Sequence, residues 1–421
     1  MSSEINNIKE LYKIFVQFPF ICTDTRKIIP NSIFFCLKGE NFDGNLFVNE
    51  AFEKGAKFVV TENKNLPESI NIIVVDNVLD TLQQLAAYHR SQLNIPVIGI
   101  TGTNGKTTTK ELISSVLSKK FSTAFTQGNL NNHIGVPLTL LSITKEHEIA
   151  VVEMGANHVG EIEELCRIAQ PDYGIITNIG KAHLQGFGSV ENIIETKTAL
   201  YRAAKVIFVN EEDEVLMRYA VRGERCVVYG KNTEINGEVV EMNPYLVINL
   251  LGNTIQTLLT GNYNLSNILA AAAIGHYFGV PEQDICETIA EYSPQNNRSQ
   301  IIKNNTNTII ADYYNANPTS MKAALDNFLL MEIPNKLAIL GDMLELGETS
   351  TTEHQAIIHY CETNKLETIF IGEEFYKQKI HHFLFFKNVE ECNDYLNNKT
   401  IKDNLILIKG SRGIHLERIN V

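Results

Sequence analysis

Short apolar runs alternate with longer stretches whose apolar residues recur at helical spacing, and the alternation continues along most of the chain. Near the N-terminus, Ile8, Leu11, Tyr12 and Phe15 mark one face of a helix. Strand-like runs at 32–37, 57–60 and 71–75 and a helical segment at 81–93 follow. This predicts a small α/β unit, residues 1–94, ending before Pro96, because a proline disfavours helix in the residue ahead of it. Over residues 95–297, strands at 97–100, 149–154, 173–177 and 206–210 alternate with helical stretches, the pattern of a parallel sheet covered by helices. Short strands at 237–241, 245–250 and 254–259 and an alanine-rich helix at 264–278 complete that unit. Residues 298–421 carry strands at 308–312, 337–341, 368–372 and 405–409, which predicts a second, Rossmann-like doubly wound sheet. The expected fold class is α/β in three domains: a small N-terminal α/β domain, a central P-loop-like domain with a parallel sheet, and a C-terminal Rossmann-like domain.

Ligands gather beyond the carboxyl ends of parallel strands, and here those ends are polar. The run at 97–100 leads into Thr101-Gly102-Thr103-Asn104-Gly105-Lys106-Thr107-Thr108. Glycines let backbone amides approach a phosphate, the following helix offers its positive end, Lys106 adds a point charge, and the Thr107 hydroxyl suits Mg²⁺. Ile100 stands where the full motif has its first glycine, so the loop is a shortened variant; an ordinary strand-to-helix turn is the alternative. The other strand ends are Glu153-Met154-Gly155-Ala156-Asn157-His158, Thr177-Asn178-Ile179-Gly180, Asp312-Tyr313-Tyr314-Asn315, Gly341-Asp342-Met343 and Lys409-Gly410-Ser411-Arg412. Six such termini imply two sheets facing one cleft.

Composition narrows the function classes. A formal charge of −13 argues against general binding to nucleic acid or anionic membranes, which need a basic footprint. The seven cysteines contain no Cys-x-x-Cys pair, so reduced thiols are expected rather than a zinc or redox site. No apolar run approaches the roughly 18 residues a membrane span needs, so a cytoplasmic protein is expected.

Together these segments resemble the Mur ligase family, ATP-dependent amide-forming enzymes of peptidoglycan precursor synthesis, over nearly the whole chain. The likeness rests on Gly128-Asn129-Leu130-Asn131-Asn132, the segments beginning at Glu153 and Ala182, Tyr314-Asn315-Ala316-Asn317-Pro318 and Gly341-Asp342-Met343-Leu344-Glu345-Leu346-Gly347. Within the family they are similar to the branch that joins D-alanyl-D-alanine to UDP-N-acetylmuramoyl-tripeptide. Asp24-Thr25-Arg26, Lys38-Gly39-Glu40 and Phe42-Asp43-Gly44 are similar to its uridine-nucleotide-binding N-terminal domain. The Asp-Asn-Pro-Arg signature of the tripeptide synthetase, the runner-up within the family, does not occur in the chain. A nucleotide-switched binding protein without ligase activity is the alternative from another class.

The resemblance implies a role for each matching residue. ATP would be held by Gly102, Thr103, Asn104, Gly105, Lys106, Thr107 and Thr108, with Asn267 at the adenine and Arg298 and Asp312 at the phosphates and ribose. Lys106, His183, Lys197 and Arg298 would serve catalysis. Two Mg²⁺ ions are implied, one on Thr107 and Glu153, the other on His183 and Lys197, a position where several family members carry a carbamylated lysine. Thr25 and Arg26 would meet the uridine diphosphate, Asn129, Asn131 and Asn132 the muramoyl-peptide arm, and Asn315, Asn317 and Arg412 the peptide carboxylate or incoming dipeptide. Taken singly, Glu153 and His183 also suit strand-end hydrogen bonding, Lys197 a solvated surface and Asn264 a helix cap. The acidic loop at 341–347 suits either the dipeptide ammonium or a cap of the next helix. A monomer with no nucleic-acid partner is expected.

Overall fold

The computed structural model describes residues 3–4, 7–66, 69–220, 225–295, 297–304, 306–399 and 401–421. Three open sheets carry the fold. The N-terminal one is wholly parallel, in the order Ser3–Glu4, Ile72–Val74, Phe58–Thr61, Ile33–Phe35, Ile21–Cys22. The six central strands, also parallel, run Cys226–Tyr229, Val206–Asn210, Tyr173–Ile176, Val97–Thr101, Ile149–Glu153, Thr123–Phe125. The C-terminal six run Gln300–Lys303, Thr308–Asp312, Leu405–Lys409, Lys336–Gly341, Thr368–Ile371, Leu384–Phe386, with only the first antiparallel. A three-stranded antiparallel sheet, Gly237–Met242, Leu246–Leu250 and Asn253–Gln256, sits beside the central one.

Every inner strand matches a strand expected from the sequence, whereas Ser3–Glu4, Ile21–Cys22, Cys226–Tyr229, Thr123–Phe125, Gln300–Lys303 and Leu384–Phe386 match none. All six are edge strands. An edge strand has a neighbour on one side only and is often short, and these runs of two to four residues are too brief to stand out as strands.

The helix Val78–Gln92 starts earlier than the apolar spacing implies, because Asn77 caps it by accepting a hydrogen bond from the Asp80 amide at 2.9 Å. Its buried face joins the N-terminal and central units into one core that includes Leu82, Leu85, Leu140 and Leu165. Arg90, 7% exposed, donates Nε to the Ala169 carbonyl at 3.0 Å and Nη2 to Asp172 Oδ2 at 2.7 Å. The neighbouring His89 faces the Ile143 carbonyl through Nε2 at 2.9 Å and the Tyr12 hydroxyl through Nδ1 at 3.2 Å. One neutral tautomer satisfies both, with Nε2–H donating and Nδ1 accepting.

The alanine-rich helix Asn264–Tyr277 lies against the phosphate-loop helix Lys106–Leu117. The approach is close: a Cβ on Gly275 would stand 2.4 Å from Val116 Cγ1. Small residues allow this crossing and make the two helices one rigid block. Among the described residues, no helix is long and apolar enough to cross a membrane.

Burial lowers the His89 pKa below its ordinary value of 6.5, with the Ile143 carbonyl pulling more weakly the other way. The unfolded chain therefore binds a proton that the native seam resists, so this stability is complete above about pH 6.5 and is lost as pH falls below it. We predict that His89→Gln, which keeps a donor for Ile143, flattens the fall in thermal midpoint between about pH 7 and pH 5. A fall as steep as in the unaltered protein would contradict this.

Candidate active site

The phosphate loop is held in a conformation that only glycine supplies at two positions. Gly102 has φ 148°, and a Cβ there would fall 1.9 Å from Thr177 Oγ1. Gly105 has φ 79°, and a Cβ would meet Asn267 Oδ1 at 2.6 Å. No side chain caps the helix that begins at Lys106, and residues 105–108 line a cavity of about 860 Å³. The open first-turn amides and the positive helix end there form an anion site.

The neighbouring strand end braces this loop. Thr177 Oγ1 donates to the Asn104 carbonyl at 2.6 Å and Asn178 Nδ2 donates to the same oxygen at 2.9 Å. The Asn104 amide donates to Asn178 Oδ1 at 3.1 Å, and Thr103 Oγ1 exchanges hydrogen bonds with Gly180. On the other side, Thr109 Oγ1 donates to Asn267 Oδ1 at 3.0 Å, while Asn267 Nδ2 donates to Asn264 Oδ1 at 2.8 Å. Asn267 retains one N–H and one lone pair for a ligand.

Glu153 ends its strand in a shell that leaves one oxygen over. Oε1 accepts from Asn131 Nδ2 at 2.8 Å and Thr107 Oγ1 at 3.3 Å. Oε2 is buried with no hydrogen-bond partner, 3.8 Å from the Lys110 ammonium. An orphaned carboxylate oxygen beside a hydroxyl is a hard-oxygen donor set, which fits a divalent cation such as Mg²⁺. No group of three or more His, Cys, Asp or Glu side chains gathers as a metal site among the described residues.

Cations crowd the same wall. Lys106 Nζ folds back onto the Gly102 and Thr103 carbonyls at 2.8 and 3.0 Å. Burial lowers its pKa to about 8, with Arg298 pushing the same way and Glu153 opposing. Lys197 is not at the surface: it is 3% exposed, donates to the Gly102 carbonyl at 3.1 Å and lies 5.8 Å from the Phe187 ring centroid. Burial, reinforced by Lys106, holds its pKa well below that of an ordinary lysine. His183 is likewise lowered by burial, while Glu345 pulls upward.

The C-terminal sheet supplies the opposite wall. Arg298 stacks 3.7 Å from the Tyr314 ring centroid, and its buried Nε has no hydrogen-bond partner. Asp312 binds Lys409 Nζ at 2.6 Å and the Ser299 amide at 3.1 Å. Ser299 in turn meets the Tyr263 hydroxyl at 2.7 Å. Asn317 caps the helix Pro318–Leu330 and donates Nδ2 to Asn104 Oδ1 at 2.8 Å, across the seam between the two sheets.

Several residues singled out in the sequence are placed differently. Gly102, within the loop, and Lys197, which holds its carbonyl, are not part of the cavity wall. Asn129, Asn131, Asn132, Asn315 and Asn317 do line the cavity, but Asn132 caps the helix Gly135–Leu141 through the Ile134 and Gly135 amides. Asn315 is turned onto the Ala316 amide. Arg412 is not part of the wall; it lies 5.7 Å from the Tyr314 ring centroid. Thr25 and Arg26 sit on a separate turn, where Arg26 pairs with Asp24 at 2.7 Å and holds that carboxyl down at about 2. Asp342 accepts from the Glu374 and Phe375 amides at 2.9 Å each, so this part of the acidic loop is a helix cap. Lys110, Asn178, Ser299 and Lys409 have no individual role in the sequence reading. Asn178 and Lys409 sit at strand ends already recognised as polar, whereas nothing local marks Lys110 or Ser299 as part of the site.

Comparison with known proteins agrees with this geometry. Residues 17–97 match the model "Mur ligase family, catalytic domain", residues 100–275 the Mur ligase middle domain, and residues 297–412 "Mur ligase, glutamate ligase domain". The UDP-N-acetylmuramoyl-tripeptide--D-alanyl-D-alanine ligase of Bacillus subtilis is 37% identical, covering 95% of this chain and 92% of its own. A crystal structure of MurF from Acinetobacter baumannii superposes with a TM-score of 0.86 at 32% identity, covering 94% of this chain and 91% of that one. MurF ligase from Thermotoga maritima, in complex with ADP, gives 0.84 at 27% identity, covering 95% and 96%. Matched by three of its domain models between residues 17 and 412 and by a relative of nearly equal span, the chain belongs to the Mur ligase family.

Proposed function

We propose that this chain joins D-alanyl-D-alanine to UDP-N-acetylmuramoyl-tripeptide at the expense of ATP, giving UDP-N-acetylmuramoyl-pentapeptide, ADP and phosphate. The observation that carries the reading is a phosphate loop with open first-turn amides, facing Arg298 and the Asp312–Lys409 pair across one cavity. The similarity to the Bacillus subtilis ligase over nearly the whole of both chains names the substrates.

The chemistry follows from what each wall offers. The tripeptide carboxylate attacks the terminal phosphorus of ATP, ADP leaves, and the acyl phosphate that forms is attacked by the dipeptide amine, which loses its proton as phosphate departs. Phosphoryl transfer needs positioning and positive charge more than covalent help. The open amides of residues 105–108, Lys106 and Arg298 supply both. Mg²⁺, when bound, neutralises phosphate charge; Thr107 and Glu153 would hold one ion, and His183 with a carbamylated Lys197 a second. The carbamate forms when a neutral lysine amine adds to CO₂ and releases a proton, and the burial of Lys197 beside Lys106 favours that neutral amine. Asn267 is assigned to adenine and Asp312 to the ribose. The dipeptide and the peptide arm are assigned to the asparagines at 129, 131, 132, 315 and 317 with Arg412, and the uridine diphosphate to Thr25 and Arg26. Residues 1–94 then serve the uridine nucleotide, 95–297 ATP, and 298–421 the ligase half. A monomer working in the cytoplasm completes the reading.

The deciding experiment measures ADP release with ATP and Mg²⁺ in the presence of both UDP-N-acetylmuramoyl-tripeptide and D-alanyl-D-alanine, then with each omitted, and determines the product mass. Turnover that needs both, with a pentapeptide product, is expected. Turnover with either alone indicates a nucleotide-switched binder, and turnover only with a dipeptide precursor and one diamino acid indicates the tripeptide synthetase. Lys106→Ala should lower kcat by about 100-fold or more with an unchanged circular dichroism spectrum; near-normal turnover would remove Lys106 from the phosphates. Lys197→Ala should be strongly impaired and partly restored by added short carboxylic acids, and full activity without them would exclude the carbamate.

A further inference from the structure

Glu345 belongs to the acidic loop of the C-terminal domain, yet its side chain crosses the seam and pairs with His183 of the central domain, Oε2 against Nδ1. The loop beneath it is rigid. Asp342 is pinned by two amides, the Met343 amide donates to His354 Nε2 at 3.1 Å, the Leu344 amide donates to Ser411 Oγ at 2.9 Å, and Met343 and Leu346 are buried. Glu345 itself has φ 63°, a left-handed conformation uncommon for a residue with a side chain, and His183 opposite has φ 50°. Two strained residues meeting face to face indicate that their surroundings fix both. The contact continues at Gly347, where a Cβ would lie 3.3 Å from Gln185 Cβ.

A carboxylate only accepts, so the pairing obliges His183 to carry its proton on Nδ1. Nε2 is then the lone-pair nitrogen of a residue that lines the cavity. A histidine that must present one nitrogen in a fixed direction commonly has the other held this way. The unusual feature here is that the holding group arrives from another domain.

We propose that Glu345 is a positioning residue that acts through His183, fixing its tautomer and ring setting only when the C-terminal domain is docked against the central one. The inference rests on the ligase reading for its consequence in turnover, though not for the tautomer itself. The pairing thus makes one side chain of the site conditional on closure, so an undocked molecule is left with an unset imidazole.

The test is a double-mutant cycle read in two ways. Imidazole ¹⁵N spectra of the intact protein should show His183 as the Nδ1–H tautomer, a mixture in Glu345→Ala, and recovery in Glu345→Gln, whose amide oxygen accepts the same hydrogen bond. In the ADP-release assay Glu345→Ala should lower kcat by about 10–100-fold with the KM for ATP little changed, and Glu345→Gln should restore much of it. In a His183→Ala background, Glu345→Ala should change kcat by less than about 2-fold, because a residue acting through another has nothing left to act on. An unaltered tautomer in Glu345→Ala, or an undiminished loss in the His183→Ala background, would overturn the proposal. Should the unaltered protein fail to turn over with both substrates, the ligase reading falls while the spectra still decide the role of Glu345.

Discussion

A loop that offers its amides to phosphate cannot spend them on its own folding, so everything else it carries must hold it in place. The rest of the architecture is arranged around that constraint. Carbonyls of the loop accept from Thr177, Asn178, Lys106 and Lys197, and its side chains at Thr103 and Asn104 are tied to Gly180 and Asn317. Behind it, the tight crossing of the helices Lys106–Leu117 and Asn264–Tyr277 sets where the first turn points, and the Thr109–Asn267 bond links that turn to the second helix directly. Substituting either loop glycine would do more than strain one residue, since the added carbon would push on Thr177 or Asn267, which are themselves part of the brace.

The same concentration of groups sets like charges against one another where the dielectric is low. Lys110 and Lys197 are buried and Lys106 is half-buried, and each has its pKa lowered first by desolvation. Glu153 compensates both of the first two, and Glu111 also acts on Lys110. A chain with a formal charge of −13 thus gathers positive charge in one place where little water screens it. An arriving polyphosphate relieves that repulsion, so part of its binding energy comes from the protein itself. Lys106 and Lys197 differ in how they share this environment: one lines the cavity, whereas the other is held against the Gly102 carbonyl, its pKa well below that of an ordinary lysine.

The chain's pattern declared the inner strands, the phosphate loop and the polar strand ends, because burial on both faces demands unbroken apolar runs and phosphate binding demands glycine at fixed places. It did not declare the short strands at the edges of the three open sheets, whose runs of two to four residues carry too little pattern. Nor did it separate residues that touch the cavity from residues that hold those that do. Asn131 and Asn132 look alike in sequence, yet one orients Glu153 and the other caps a helix. Arg298 and Arg412 both reach the Tyr314 ring, but only Arg298 lines the cavity. Such distinctions depend on which groups the fold brings together from distant positions, and no local spacing encodes them. The solvated-surface alternative for Lys197 fails for the same reason, since its burial depends on the loop that folds over it.

Two contacts across the seam show how the domains share a single site. Asn317 binds Asn104 of the phosphate loop while capping its own helix, and Glu345 binds His183 from a rigid loop. Each crosses from an element whose geometry is already settled within the C-terminal domain to one whose geometry matters for phosphate chemistry. Interfaces within a chain are ordinarily polar and prone to relative motion, so these bonds add little to the stability of either domain. They report on alignment instead: both form only when the two sheets present their strand ends to each other. An acyl phosphate is exposed to water unless the site is closed, and a site whose loop and imidazole are set by closure is incomplete while water has access.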